Sequence, residues 1–266
     1  MSCISHTETD LSATNKGPSG TDFTNLVLSN PQGPKITLYV RTPSKLPSEF
    51  REAAAPTRLR IIVGELDDQA TLETALTDPT TPIDVVVSFL GPYASLKAFL
   101  LRTRSSPLAD TFPTILAAMK HAGVGRILAI SSPAWLVQAE RGDDDNNNNK
   151  GDHHLSRDSD QMSWGWWLAM RFVAFILPQG SVEMEQIGRR VADEGMHGGW
   201  GLKWTVFRIP RLNNGAEDLE VSAGYLGRDF DGTKELSRKS MARWLVGELD
   251  AGEWIDKAPV VSNRRA

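Results

Sequence analysis

Gly17-Pro18-Ser19-Gly20 opens the run GPSGTDFTNLVLSN (residues 17–30), which leads into the strand-like ITLYVR (Ile36–Arg41). A glycine pair placed so, ahead of a helix and then a strand, matches the end of a phosphate-binding fingerprint. In that fingerprint a buried apolar strand runs into Gly-x-x-Gly-x-x-Gly, and the tight turn presents helix amides to a pyrophosphate. The residues ahead of the pair depart from the pattern. Thr14 stands at the first glycine position, and the strand window TETDLSA (Thr7–Ala13) carries Glu8 and Asp10, with only Leu11 and Ala13 apolar. Two carboxylates inside a strand buried on both faces are strongly unfavourable without partners. A β-branched residue forced to positive φ costs about 1–3 kcal/mol. The first strand is therefore expected to be poorly formed or missing. Residues 1–16 read as an altered start in its place, or as the start of a chain whose nucleotide site is weakened.

Downstream, short β-branched runs alternate with helical patterns, which argues for βαβ units, a mainly parallel sheet and a single α/β domain over 1–266. The expected strands are Ile36–Arg41, Leu59–Gly64 (LRIIVG), Asp84–Leu90 (DVVVSFL), Arg126–Ser132 (RILAISS) and Trp204–Ile209 (WTVFRI). The near-continuous apolar run of the third suits a strand buried on both faces. Asp67 or Asp68 is placed to cap a helix with apolar spacing at Leu72 and Leu76. Thr111–His121 reads as a helix stopped at Gly123, and Ser237–Leu249 as a helix opened by a serine cap. Residues 139–161 include GDDDNNNNKGDHH (142–154), too polar to bury enough apolar area to order itself, and read as a disordered surface insertion. His153 and His154 within it are expected to be solvated.

With 266 residues, 40% of them hydrophobic, the chain can cover both faces of one sheet. A net charge of −4 gives no reason to expect nucleic acid or an anionic membrane as partner. Cys3 is the only cysteine, so an internal disulfide is excluded, and no Cys/His cluster has metal-site spacing. The N-terminus lacks a basic-then-apolar targeting pattern, which makes a cytoplasmic protein the expectation. Trp164–Leu177 (WGWWLAMRFVAFIL) is strongly apolar but spans fourteen residues and carries Arg171. A spanning helix needs about twenty. It reads as a buried or pocket-covering helix closed by Pro178, with an interfacial membrane contact as the alternative.

The ordered series GPSG, VRTPSKLP, IVGELDD, VVVSFLGP, AAMKHAGVGRILAISS, KWTVFRIPRLNNG and SRKSMARWLVGEL resembles the atypical short-chain dehydrogenase/reductase superfamily, in particular its NmrA-like NAD(P)H-binding branch. The likeness runs from Gly17 to Asn263. It implies a Rossmann-like doubly wound sheet, with Gly17, Pro18, Ser19 and Gly20 at the cofactor phosphates. It also implies Arg41 where family members meet the adenosine ribose, Glu65 and Leu66 at the adenine edge, and Leu90, Gly91, Pro92 and Ser131 along the cofactor. An arginine at that ribose position suits the extra phosphate of NADP, where an acidic residue would suit NAD. NADP is thus the expected cofactor, with NADPH preferred over NADH.

In the family's reductases a Ser or Thr after the fifth strand works with a Tyr-x-x-x-Lys helix, whose tyrosine exchanges a proton with the substrate oxygen. Ser131 and Ser132 occupy the serine region. The matching helix, SVEMEQIGRRVADEG (181–195), holds Glu183 and Glu185 but no Tyr-x-x-x-Lys, and the only tyrosines are Tyr39, Tyr93 and Tyr225. Ser132 is the expected catalytic residue, with Glu185 as a candidate acid and Tyr93 or Arg208 as substitutes. Residues 162–201 form the expected substrate side. The tryptophans there and nearby (Trp135, Trp164, Trp166, Trp167, Trp200, Trp204) suggest a broad apolar pocket for a flat ligand. A looser likeness to fungal averufin-oxidase-type polyketide tailoring oxidoreductases points the same way. Three functions stay open: an NADP(H)-linked oxidoreductase on an aromatic or polyketide-like compound, a non-catalytic NmrA-like nucleotide sensor or partner-binding protein, and a redox-neutral dehydratase or isomerase.

Overall fold

A computed structural model describes residues 2–3, 11–12, 18–51, 58–77, 82–91, 107–136, 159–161, 163–176 and 178–265. The expected strands form within a residue or two of their predicted ends. They are β3 (Ile36–Val40), β4 (Leu59–Val63), β5 (Val85–Ser88), β6 (Arg126–Ser131) and β7 (Lys203–Arg208). Two short pieces precede them, β1 (Ser2–Cys3) and β2 (Leu11–Ser12), and four follow: β8 (Arg211–Asn213), β9 (Val221–Gly224), β10 (Glu235–Ser237) and β11 (Val260–Asn263). The nine-stranded sheet runs β4-β3-β2-β5-β6-β7-β11-β9, with β1 antiparallel on β5. β8 and β10 make a separate parallel pair. This is the doubly wound α/β order, in which the chain reverses direction across the sheet at its first strand.

That first strand is β2. It lies between β3 and β5, parallel to both, and is two residues long. The strand expected to be poorly formed is thus a stub at the centre of the sheet. Glu8, Asp10, Thr14 and Gly17 lie outside the described residues. At the far edge, β9 is antiparallel to β11, an arrangement the sequence reading did not foresee.

Period-two alternation sends each strand's side chains to opposite faces. Ile36, Leu38, Val40, Val85, Val87, Leu128, Ile130 and Phe207 join one core, under α1 (Pro18–Ser29) and α7 (Arg238–Ala251). Tyr39, Val86, Ile127, Ala129, Trp204 and Val206 join the other, under α3 (Gln69–Leu76), α4 (Phe112–Ala122) and α6 (Pro178–His197). A single-turn α2 (Ser48–Arg51) adds Phe50 to the first core.

Local signals act as read in most cases. Pro18 occupies the first position of α1, where its missing N–H costs nothing. Asp68 caps α3 by accepting from the Thr71 amide at 3.1 Å. Gly123 ends α4 at φ 73°, a conformation L side chains avoid. The open carbonyls at the end of α1 are met by a distant side chain, since Arg58 donates to the carbonyls of Leu28, Asn30, Gly33 and Pro34. Ser237 stands at the N-cap of α7, but its hydroxyl donates to the Gly215 carbonyl at 3.0 Å and caps nothing. A tertiary partner has displaced the local one.

Two expectations are corrected on the C-terminal side. α5 (Trp164–Ile176) is not a buried helix. Trp166 is buried against Leu226 and Val260, while Trp164, Trp167, Leu168, Phe172 and Phe175 are exposed. Among the described residues no helix is long and apolar enough to cross a membrane. Residues 139–158 lie outside the described residues, but the end of the predicted insertion, Ser159–Gln161, is held in place. There Asp160 is fully buried against the equally buried Arg208. The Arg208 guanidinium also donates to the carbonyls of Ala258 (2.7 Å) and Trp135 (2.8 Å) and lies over the Tyr225 ring. Asp160 in turn accepts from the Leu226 amide at 2.9 Å.

Removing one partner of a buried ion pair leaves the other charge without compensation, at a cost of about 3–5 kcal/mol. Arg208→Met is accordingly expected to lower unfolding free energy by about that amount in urea titration. A loss below about 1 kcal/mol would show that the pair contributes no more than a surface one.

Candidate functional site

Three parallel strands, β3, β4 and β5, end on the same edge of the sheet, and the chain leaving each of them lines one cavity of about 690 Å³. β3 contributes Tyr39, Val40 and Arg41; the turn after β4 contributes Gly64, Glu65, Leu66 and Asp67; the exit from β5 contributes Phe89, Leu90 and Gly91. Pro107, Leu108 and Thr111 close the far side, and Lys45 joins Arg41 at the β3 end. The crevice outside the carboxyl ends of strands, where strand order reverses, is where open α/β sheets bind ligands, and the volume lies within the range of small-molecule sites.

Each wall has a local cause. Thr42 precedes a 3₁₀ turn with Pro43 at its first position, and that turn folds Lys45 back toward the end of β3. The Tyr39 hydroxyl donates to the Glu65 carbonyl at 2.6 Å, and the Gly64 amide donates to the Val40 carbonyl at 3.1 Å, so the turn after β4 is tied to β3 twice. Any side chain at Gly64 would collide with the Tyr39 phenol. Burial, with Asp68, Glu65 and Asp67 nearby, pushes the Tyr39 phenol up to about 12. The far wall is held from α6. Glu183, 1% exposed, accepts from the amides of Ala109 (2.9 Å) and Leu108 (3.3 Å). Its burial raises its pKa, while those two amides oppose the rise.

The charge at the cavity is mixed. Arg41 and Lys45 supply two cations, Glu65 and Asp67 two carboxylates. Arg41 and Glu65 approach to 3.8 Å, each side chain 60% exposed. Val40, Leu66, Phe89 and Leu90 give the apolar surface between them. A planar base between apolar walls, with an anionic group at the cationic end, is what this donor set accommodates.

Of the residues expected at a cofactor, Arg41, Glu65, Leu66, Leu90 and Gly91 line this cavity together. Pro18 is exposed and Ser19 and Gly20 are buried at the start of α1; Gly17 and Pro92 lie outside the described residues. Ser131 is fully buried, and its hydroxyl donates to the Met184 carbonyl at 2.6 Å. Ser132 Oγ is buried with no hydrogen-bond partner among the described residues. Glu185 pairs with Arg189 at 2.9 Å along the outside of α6. Arg208, a substitute acid in the sequence reading, is spent on its buried pair and carbonyls; Tyr93 lies outside the described residues.

The tryptophans do not gather around this cavity. Trp135 packs where Gly188 leaves α6 without a side chain, Trp204 packs against Gly195, and Trp164 stacks on Trp167 at the surface. Trp135 and Trp204 thus fill helix–sheet gaps, Trp164 and Trp167 are exposed, and none of them lines the cavity. Lys45, Tyr39, Asp67 and Phe89 in the lining, and Glu183 behind the far wall, are among the residues that sequence reasoning missed. For Lys45 a signal existed, since Pro43 directly after a strand marks a tight turn that brings its third residue back. Nothing local signals that Glu183 reaches Ala109, 74 residues away.

Comparison with known proteins bears on family and fold. A family profile described as NAD(P)H-binding matches residues 16–162. Among solved structures, a short-chain dehydrogenase/reductase from Veillonella parvula DSM 2008 in complex with NADP superposes with a TM-score of 0.65 at 18% identity, covering 95% of this chain and 93% of that one. A Rossmann-fold NAD(P)-binding family protein from Shigella flexneri gives 0.57 at 18% identity, covering 97% and 94%. The anaerobillin reductase ChuY from Escherichia coli O157:H7 gives 0.59 at 11% identity, covering 95% and 96%. At these identities the likeness is one of fold. No curated protein matches the sequence.

The sign of the Tyr39 shift yields a check. Below pH 10 the phenol is neutral in both folded and unfolded chains. Between 10 and about 12 only the unfolded chain ionises, so the folded state loses stability as pH rises through that window. Spectrophotometric titration of phenolate should therefore show one tyrosine ionising near pH 12, and Tyr39→Phe should remove that late step alone.

Proposed function

Because the chain belongs to the NAD(P)H-binding family, we propose that it is an NADP(H)-dependent oxidoreductase acting on a small aromatic or polyketide-like compound. The observation that carries this reading is the pairing of Arg41 and Lys45 at the end of β3, in one cavity with Glu65 and Leu66. In the proposed arrangement the adenine lies toward Glu65 and Leu66. The 2′-phosphate faces Arg41 and Lys45, and the rest of the cofactor passes Leu90 and Gly91 toward the end of β6. When bound, the nicotinamide supplies or accepts the hydride. The chain's part is to hold the adenosine, keep water from the apolar wall, and present a hydroxyl at the end of β6. Ser132, whose buried hydroxyl has no hydrogen-bond partner among the described residues, is assigned that role; Ser131 is committed to the Met184 carbonyl and acts as a tether between β6 and α6.

A second reading rests on its own observation. On α6 no tyrosine is present, and Glu185 is engaged with Arg189. That supports an NmrA-like protein that binds the nucleotide without turning it over. A redox-neutral dehydratase or isomerase would need a proton relay, and the described residues favour none.

Titration of the purified chain with NADPH and NADH, followed by nicotinamide fluorescence, separates the readings. NADPH is expected to bind more tightly. Arg41→Ala should weaken NADPH by about 10- to 100-fold, the worth of one charge-assisted hydrogen bond, and NADH by less than about twofold. Equal losses would refute the phosphate role of Arg41. Tight NADPH binding without oxidation across a panel of aromatic acceptors would establish the non-catalytic reading.

A further inference from the structure

We propose that Glu65 restrains the cavity's phosphate-binding cation, so that selectivity for a 2′-phosphate is set by the Arg41–Glu65 pair and not by Arg41 alone. The inference rests on the preceding reading of the cavity as a nucleotide site. Arg41 Nη1 and Glu65 Oε2 are 3.8 Å apart, both at the mouth of the cavity. They reach it from different strands, Arg41 from the end of β3 and Glu65 from the turn after β4. The Tyr39 hydroxyl anchors the Glu65 backbone at 2.6 Å, so the carboxylate is delivered to Arg41 by a fixed main chain. Asp67 also lines the cavity, but no ion pair joins it to Arg41 among the described residues.

An incoming phosphate monoester has to take Arg41 from this carboxylate and then stay beside it. An exposed pair is weak, so exchange is permitted, and the residual repulsion between carboxylate and phosphate acts over a few ångströms at partial exposure. Both effects lower affinity for a 2′-phosphate and neither touches a ribose that ends in a hydroxyl. Glu65 is thus a specificity-determining residue that narrows the gap between the two cofactors.

The test is a double-substitution cycle read by equilibrium binding of NADPH, NADH and 2′,5′-ADP. Glu65→Gln keeps the length and hydrogen-bonding capacity of the side chain and removes its charge. It is expected to tighten NADPH and 2′,5′-ADP about fivefold relative to NADH, whose own change reports the adenine side of Glu65 alone, and to lose that relative gain as salt rises. In an Arg41→Ala background the gain should shrink to the part owed to direct carboxylate–phosphate repulsion, because the restraint itself acts through Arg41. Asp67→Asn should give a clearly smaller gain. Three results would overturn the inference: no tightening in Glu65→Gln, an equal change for NADH, or a gain that persists undiminished without Arg41 or is matched by Asp67→Asn. If Arg41→Ala itself leaves NADPH binding unchanged, the phosphate reading fails first. If Arg41→Ala weakens binding and Glu65→Gln does not tighten it, only the restraint fails.

Discussion

Burial of the sheet on both faces decides where this protein can do chemistry. Helices α1 and α7 cover one face, and α3, α4 and α6 cover the other. The inner strands between them have their backbone groups paired and their side chains packed, while β4, at the edge, is half-buried. A ligand can reach the parallel strands only at their carboxyl ends, where the chain must leave the sheet and turn. Most of the candidate site follows from this. Arg41, Glu65, Leu66, Leu90 and Gly91 are far apart in sequence, and each is within a few positions of the end of a parallel strand. Lys45 joins them because a proline-initiated turn follows the same strand as Arg41.

The other half of that edge is organised differently. At the end of β7 the buried Arg208 gathers Asp160 and the carbonyls of Trp135 and Ala258, which fixes the start of the α5 region to the sheet. Ser131 is tied to α6, and Trp135 fills the gap at Gly188. The β6–β7 end is therefore packed and cross-linked, whereas the β3–β5 end is open, charged and lined by exposed groups. One segment of α6 serves both ends, since Glu183 holds the far wall of the cavity while its neighbour Met184 holds Ser131.

Much of this was legible in the residues. The strands reported themselves through β-branched runs, and the family resemblance pointed to Arg41, Glu65 and Gly91 at the ends of those runs. What failed to show was anything decided by a partner distant in sequence. α5 looks like a core helix from its composition, yet only Trp166 among its tryptophans finds a buried place. The tail of the acidic insertion looks solvated, yet Asp160 has a buried guanidinium waiting for it. Ser237 has the chemistry of a cap and donates elsewhere. For Asp160 and Ser237 a local preference yielded to a partner distant in sequence.

By itself, then, the sequence determined the doubly wound fold, the stub that stands for a first strand, and the cation at the end of β3. These depend on hydrophobic periodicity and strand ends, which are properties of short windows. Only the tertiary structure decided that Lys45 stands with Arg41, that Glu65 reaches Arg41 across the mouth of the cavity, and that the tryptophans stand apart from it. Those outcomes depend on which helices and turns meet over the sheet. Contacts between residues on different strands are set by the register and packing of the whole sheet, which no short window of sequence contains.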